Sequence, residues 1–195
     1  MANIDHKPSK YMLNLLHVLP AFADKSALRL NAIVEVSPNS INKYEVITES
    51  GQLKLDRVGY STLAYPATYG CIPKTWDLDG DPLDIVIVNV TEGLIPGSIV
   101  EARIIGVMKF DDGGETDDKI IAVLADDKRV DHIKHLDDLG EYWKKENQYY
   151  WEHYKDLKKP GTCKVQGFFG PDEAVAIVEE CEHRYETDYA PKFAD

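Results

Sequence analysis

Three cysteines in 195 residues are too few and too scattered to staple a fold. Cys71, Cys163 and Cys181 are odd in number and lie in no C-x-x-C pair, so neither a disulfide framework nor a thiolate metal site is signalled. A reduced, cytoplasmic compartment is the simplest setting. Long apolar runs are also missing. Residues 13–19 are too short to span a bilayer and are interrupted by Asn14 and His17, and no convincing small-residue cleavage site follows. Basic residues are in deficit, 22 Lys and Arg against 34 Asp and Glu, and the net charge of −12 excludes nucleic acid and anionic membranes as natural partners. His17, His132, His135 and His153 show no zinc spacing and read as structural or surface residues. There is no G-x-S-x-G and no pairing of Cys with His, so no covalent nucleophile presents itself. No repeat or low-complexity tract appears. At 44% apolar and 29% charged, the chain suits one globular domain with a core of its own.

What the chain has in excess is carboxylate in turns. Asp77-Leu78-Asp79-Gly80-Asp81-Pro82-Leu83-Asp84 sets four carboxylates in eight residues and runs straight into the β-branched stretch 85–90. Gly80 and Pro82 place these acids in a turn feeding a buried strand. Confined carboxylates repel one another unless a cation or shared protons compensate, and hard Mg²⁺ or Ca²⁺ suits oxygen donors. An EF-hand loop begun at Asp77 would put Gly80 at position 4, Pro82 at 6 and Val88 at 12, so that reading fails. An aspartyl-phosphate phosphatase would want an apolar strand before its nucleophile, where this chain has Pro73-Lys74-Thr75-Trp76.

The remaining periodicities predict strands at residues 30–36, 42–48, 53–57, 85–90, 98–110, 119–124 and 163–169. Residues 49–51 read as a hairpin turn, and 59–76 as a loop-rich section. Alternation sets Lys43 and Glu45 on one face of their strand, opposite Tyr44 and Val46. Helical spacing covers 137–157, with Leu139, Trp143, Tyr150, His153 and Leu157 on one side, and 172–185 behind Pro171. Residues 1–28 are expected to be a polar arm with a short amphipathic segment, 29–185 a single catalytic domain, and 186–195 a frayed tail. Many short strands followed by two late helices favour an α+β fold built on a small closed barrel.

A second acidic turn, residues 111–118, again gathers carboxylates around glycines beside a strand. Two such turns in one domain point to a shared multinuclear cation site, and paired cations serve phosphoryl transfer. A polyanionic substrate would need fixed cations as well. Lys43, Arg57, Lys119 and Lys155 are the candidates, with Tyr69 and Tyr154 as hydroxyl donors.

These motifs are similar to those of the family I soluble inorganic pyrophosphatases in their compact bacterial form. Asp79-Gly80-Asp81-Pro82-Leu83-Asp84 matches D-G-D-P-x-D, Lys43-Tyr44-Glu45 matches K-Y-E, and Asp56-Arg57 takes the D-R position. Tyr65-Pro66-Ala67-Thr68-Tyr69-Gly70 fits Y-P-x-x-Y-G, residues 112–119 fit D-x-G-E-T-D-x-K, and His153-Tyr154-Lys155 fits H-Y-K. The resemblance runs from about Glu35 to Lys155. It implies an OB-like closed antiparallel β-barrel flanked by two helices, and hydrolysis of pyrophosphate to two phosphates with several Mg²⁺ ions, Mn²⁺ or another divalent ion substituting. By position it implies Asp79, Asp84 and Asp117 as ligands of the first metals, with Asp84 bridging two, and Asp112 and Glu35 for those arriving with substrate. Asp81 would be the general base, with Tyr69 beside it. Lys43, Arg57, Tyr69, Lys119, Tyr154 and Lys155 would grip the phosphates, and Glu45 and Tyr65 would line the site. It also implies a homohexamer. Gly113 departs from the pattern, since relatives often carry an acid there.

Overall fold

The structure is a computed structural model and describes residues 13–190. The expected polar arm over residues 1–12 lies outside these, as do residues 191–195. A short helix α1 (Leu15–Val18) precedes strands β1 (Phe22–Asp24), β2 (Arg29–Val36), β3 (Asn42–Val46), β4 (Leu53–Val58), β5 (Thr68–Cys71), β6 (Asp84–Ile87), β7 (Ile99–Asp112), β8 (Glu115–Thr116) and β9 (Lys119–Leu124). Helix α2 (Glu141–His153), strand β10 (Cys163–Phe169) and helix α3 (Pro171–Arg184) complete the chain.

Strands β2, β5, β6, β9 and β7 pair in that order, and β7 pairs back onto β2. This closes a five-stranded ring in which every strand has a partner on both sides, leaving β1, β8 and β10 as the edges. The joints are antiparallel except one: β6 and β9 run parallel, with Asp84 opposite Lys119. The antiparallel expectation fails there because β7 intervenes between them in the chain and acts as the crossover that a parallel pair requires. Strand β7 is 14 residues long and partners β2, β8, β9 and β10 along its length. One apolar cluster contains Val36, Tyr69, Val86, Phe110, Ile121 and Trp151, and ties the ring to α2. A second, with Leu30, Ile85, Ile104, Ile120, Val178 and Cys181, holds α3 against the sheet.

Five expectations need correction. The loop-rich section contains β5, whose four residues are all buried. The long helix is broken at Gly140, where φ is +81°, into a 3₁₀ turn (Leu136–Leu139) and α2, which stops at His153. Leu157 therefore lies beyond the helix and is 78% exposed, while Asn147 and Trp151 join Tyr150 in facing the core. The tail does not fray after Glu186: a π-helical turn (Tyr185–Tyr189) buries Tyr189 and stacks its ring on Trp76 at 4.0 Å. The strand expected over 42–48 ends at Val46, which packs with Leu16 of the short N-terminal helix, Ile33 and Cys71.

Gly70 shows how tightly β5 is laid against β2. A Cβ there would stand 2.1 Å from the Ile33 carbonyl oxygen and 3.0 Å from its carbon, both backbone atoms. Gly70→Ala should therefore cost ~1–3 kcal/mol through forced strand displacement, lowering the melting temperature by roughly 2–4 °C per kcal/mol. Calorimetric melting of the variant checks this.

Candidate active site

The two acidic turns and the β3–β4 hairpin open onto one cavity of about 420 Å³. All fourteen residues singled out from the sequence line it. Asp79, Asp81 and Asp84 come from the turn before β6, and Asp112 and Asp117 from the β7–β9 connection. Glu35 enters from β2, Lys43 and Glu45 from β3, Arg57 from β4, Tyr65 and Tyr69 from the approach to β5 and β5 itself. Lys119 opens β9, and Tyr154 and Lys155 follow the end of α2.

The parallel β6–β9 joint sets the centre of the site. Its register puts Asp84 and Lys119 side by side, and the Asp117 amide donates to the Phe110 carbonyl at 2.9 Å, turning Asp117 back toward them. Lys119 Nζ donates to Asp84 Oδ2 and Asp117 Oδ1, each at 2.6 Å, and to the Asp117 carbonyl at 3.2 Å. The Tyr69 hydroxyl donates to the same Asp84 oxygen. Lys119 is 1% exposed, and its ammonium lies 5.0 Å from the Trp151 ring centre and 5.2 Å from that of Phe110. Around this centre Lys155 pairs with Asp112, and Lys43 with Glu45 at 2.5 Å, which places Lys43 and Glu45 on one strand face as alternation predicted. The Val46 amide donates to Glu35 Oε1 at 2.7 Å.

Trp151, Lys54, Glu49 and Glu115 also line the cavity and were not read from the sequence. Trp151 had a signal in its place on α2, one position off the stripe assigned to the core. Glu115 belongs to the second acidic turn but was given no role there, and Lys54 and Glu49 are exposed polar residues with no sequence feature to separate them from ordinary surface. Gly113 does not line the cavity, and a Cβ there would touch nothing, although φ is +72°.

Charge in the cavity is lopsided. Its lining carries nine acids (Glu35, Glu45, Glu49, Asp79, Asp81, Asp84, Asp112, Glu115, Asp117) against five bases (Lys43, Lys54, Arg57, Lys119, Lys155). Burial opposes ionisation of Asp84, but Lys119 and Lys43 outweigh it and hold this carboxyl below its usual range. Its neighbour Asp117 moves the other way, raised by burial and then by the Asp84 charge. Burial pushes Glu35 up to about 8, and burial with the Asp84 charge pushes Asp79 up to about 7. Asp79 and Asp81 line the cavity with exposed side chains, so the burial that raises them is only partial.

Carboxyls in this condition either keep protons or receive a cation. Oxygen donors alone, more of them than the fixed cations satisfy, fit a hard divalent ion. Among the described residues no three His, Cys, Asp or Glu side chains already surround one ion position. Instead the Lys119 ammonium occupies the space between Asp84 and Asp117, acting as the internal counter-ion of that pair.

The closed ring and an acid-rich cavity edged with Lys, Arg and Tyr define a cation-dependent site for a phosphate polyanion. The inorganic pyrophosphatase family model matches residues 32–186. An inorganic pyrophosphatase of Geobacillus stearothermophilus is 40% identical over 156 residues, covering 80% of this chain and 93% of that one. One from Rickettsia bellii is 41% identical over 160 residues, covering 80% and 91%. The crystal structure of an inorganic pyrophosphatase from Neisseria gonorrhoeae superposes with a TM-score of 0.85 at 38% identity, covering 89% of this chain and 99% of that one. The Thermus thermophilus enzyme gives 0.81 at 39% identity over the same shares. The chain belongs to the inorganic pyrophosphatase family. Membership implies the use of divalent cations.

The raised carboxyls fix the sign of the pH dependence. Glu35 and Asp79 hold their protons more tightly folded than unfolded, so the stability they contribute is complete below about pH 4 and lost as pH rises through 7–8. Asp84 and Asp112, held low, are ionised in both states above about pH 5 and add no slope there. The cation-free protein should therefore melt at progressively lower temperature from pH 5 to 8. Saturating divalent cation should flatten the slope, and its binding near pH 7 should release protons, read by calorimetry in buffers of different ionisation enthalpy.

Proposed function

We propose that this chain hydrolyses inorganic pyrophosphate to two phosphates and that Mg²⁺ is its cation. The observation that carries the reading is the convergence of both acidic turns with Lys43, Arg57, Lys119 and Lys155 on one cavity. Asp79, Asp84 and Asp117 would hold the first ions, Asp84 between two, and Asp112 and Glu35 would serve those entering with substrate. When bound, the ions supply positive field for the polyanion and Lewis acidity that lowers the pKa of water toward neutrality.

The chain's own residues do the rest. Asp81 accepts the proton of the attacking water as its oxygen bonds to phosphorus and the bridging P–O bond breaks. Burial and the Glu45 charge raise the Asp81 carboxyl, which makes its carboxylate a better base. Lys43, Arg57, Tyr154 and Lys155 hold the phosphate oxygens and take up the charge that develops on the leaving phosphate, and Lys119 would join them once cations replace its ammonium as the partner of Asp84 and Asp117. Tyr69 donates to Asp84, fixing the orientation of that carboxylate. Glu45 orients Lys43, and Tyr65 packs on Tyr69 at 5.4 Å. A thiol route has no support: burial pushes Cys163 up to about 11 and Cys181 up to about 12, and Cys71 is raised as well. The family relationship further supports a homohexamer in the cytoplasm, and no described helix is long and apolar enough to cross a membrane.

Purified protein should release phosphate from pyrophosphate with Mg²⁺, lose that activity on chelation, and turn over a phosphomonoester far more slowly. Activity that survives exhaustive chelation, or equal rates on the two substrates, would reject the proposal. Asp81→Asn should keep Mg²⁺ and pyrophosphate binding while kcat falls ~10²–10⁴-fold; recovery of full kcat at high Mg²⁺ would make Asp81 only a ligand. Lys155→Ala should reduce kcat/KM at least ~10-fold, the size of a lost charged contact, with little change in melting temperature.

A further inference from the structure

We propose that Arg184, in the last turn of α3, is a positioning residue for the cation-binding turn, acting through Asp77 and the Trp76 carbonyl to hold Asp79 and Asp81 facing the cavity. The inference rests on the functional reading above. It starts from how the turn is closed. The Asp77 amide donates to the Asp81 carbonyl at 2.7 Å, the Gly80 amide returns to the Asp77 carbonyl at 3.2 Å, and the Asp81 amide donates to Asp79 Oδ1 at 3.1 Å. Asp77 is thus the residue on which the loop bearing Asp79 and Asp81 shuts.

Asp77 does not line the cavity; its carboxylate turns into the protein and is 7% exposed. One oxygen, Oδ1, receives the Leu78 amide at 2.8 Å, Arg184 Nη1 at 3.3 Å and the Cys181 thiol at 3.7 Å. Arg184 Nη1 also donates to the Trp76 carbonyl at 2.7 Å, and the Trp76 amide donates to the Cys181 carbonyl at 3.0 Å. Arg184 is the cation that pairs with Asp77 among the described residues. The end of α3, 107 positions along the chain, therefore grips both sides of the 76–77 peptide.

Neither Arg184 nor Asp77 would touch cation or substrate, so their effect must pass through the shape of the turn. Freed from Arg184, the turn would have to be ordered when the cation binds, and that ordering subtracts from affinity. Partners behind metal ligands commonly change affinity 10–100-fold. Once cation saturates the site the turn is re-formed, so the rate at saturation should hardly change. A contact that merely stabilises the fold would lower the melting temperature and leave cation affinity alone.

The test uses the full chain with Arg184→Gln, Asp77→Ala and the double variant. Mg²⁺ binding is measured by calorimetry, and pyrophosphate hydrolysis is followed against Mg²⁺ concentration. The expected result for Arg184→Gln is a Kd for Mg²⁺ raised about 10-fold, with kcat at saturating Mg²⁺ within about threefold of the parent. Because Arg184 and Asp77 share a contact, the two losses of Mg²⁺ affinity should be less than additive in the double variant. A Kd within about twofold of the parent overturns the proposal, whatever happens to the melting temperature. Should Arg184→Gln fail to fold, Asp77→Ala decides alone: a loss of about threefold or more supports the proposal and a smaller one overturns it. A parent protein that neither binds Mg²⁺ nor hydrolyses pyrophosphate would instead reject the functional reading, a result distinct from an active parent with indifferent variants.

Discussion

The buried ion group of Lys119 with Asp84 and Asp117 is the interaction on which barrel and site both depend. It sits at the parallel joint of the ring, so the same register that closes the barrel places the charges. An ammonium removed from water needs its partners in good geometry, and losing one partner of a buried pair commonly costs ~3–5 kcal/mol. Here two carboxylate oxygens and a carbonyl receive the three ammonium protons, and the faces of Trp151 and Phe110 supply favourable surface around them. The group is therefore well satisfied in itself, while the surrounding carboxyls are not. That division leaves the cavity both rigid at its centre and short of positive charge at its walls.

Strand β7 distributes this order outward. Its residues alternate between the two apolar clusters: Ile105, Met108 and Phe110 join the one that packs on α2, Ala102, Ile104 and Val107 the one that packs on α3. Helix α2 brings Trp151 onto Lys119 and leads into Tyr154 and Lys155. Helix α3 reaches the opposite acidic turn. One strand thus packs against both the helix that leads into Tyr154 and Lys155 and the helix that reaches the acidic turn before β6.

Most of the site was legible in the sequence because carboxylates crowded beside Gly and Pro have few uses in a fold, and because their spacing matches a known family. The rest was hidden for identifiable reasons. Strand β5 follows Tyr65-Pro66 and contains Gly70, residues that usually mark turns, yet Gly70 is needed there because the Ile33 carbonyl leaves no room for a side chain. The helix before His153 was drawn too long because Gly140 breaks it at a positive φ that the apolar spacing does not reveal. Trp151 was passed over because its partner is the charged Lys119, not another apolar residue of the stripe. Asp77 was read only as one of four acids in its turn and Arg184 drew no reading at all, since nothing in the sequence brings positions 107 apart together.

The hairpin β3–β4 forms a sheet of its own, outside the ring, and it carries Lys43 and Arg57. An isolated two-stranded ribbon is marginal in water, so its order is borrowed. Part comes from Glu35 through the Val46 amide, and part from the two ends of the described chain: Asn14 Nδ2 and His17 Nε2 both donate to the Thr48 carbonyl, at 2.7 and 2.8 Å, while His17 Nδ1 accepts from the Tyr185 hydroxyl at 2.8 Å. Because a carbonyl can only accept, that bond also fixes the imidazole tautomer. The segments around Asn14 and Tyr185, remote in sequence from the acidic turns, thereby act as guy-lines for the hairpin that brings Lys43 and Arg57 to the cavity. Substitutions around Asn14 or Tyr185 can then shift the hairpin that carries Lys43 and Arg57 without touching Asp79, Asp84 or Asp117.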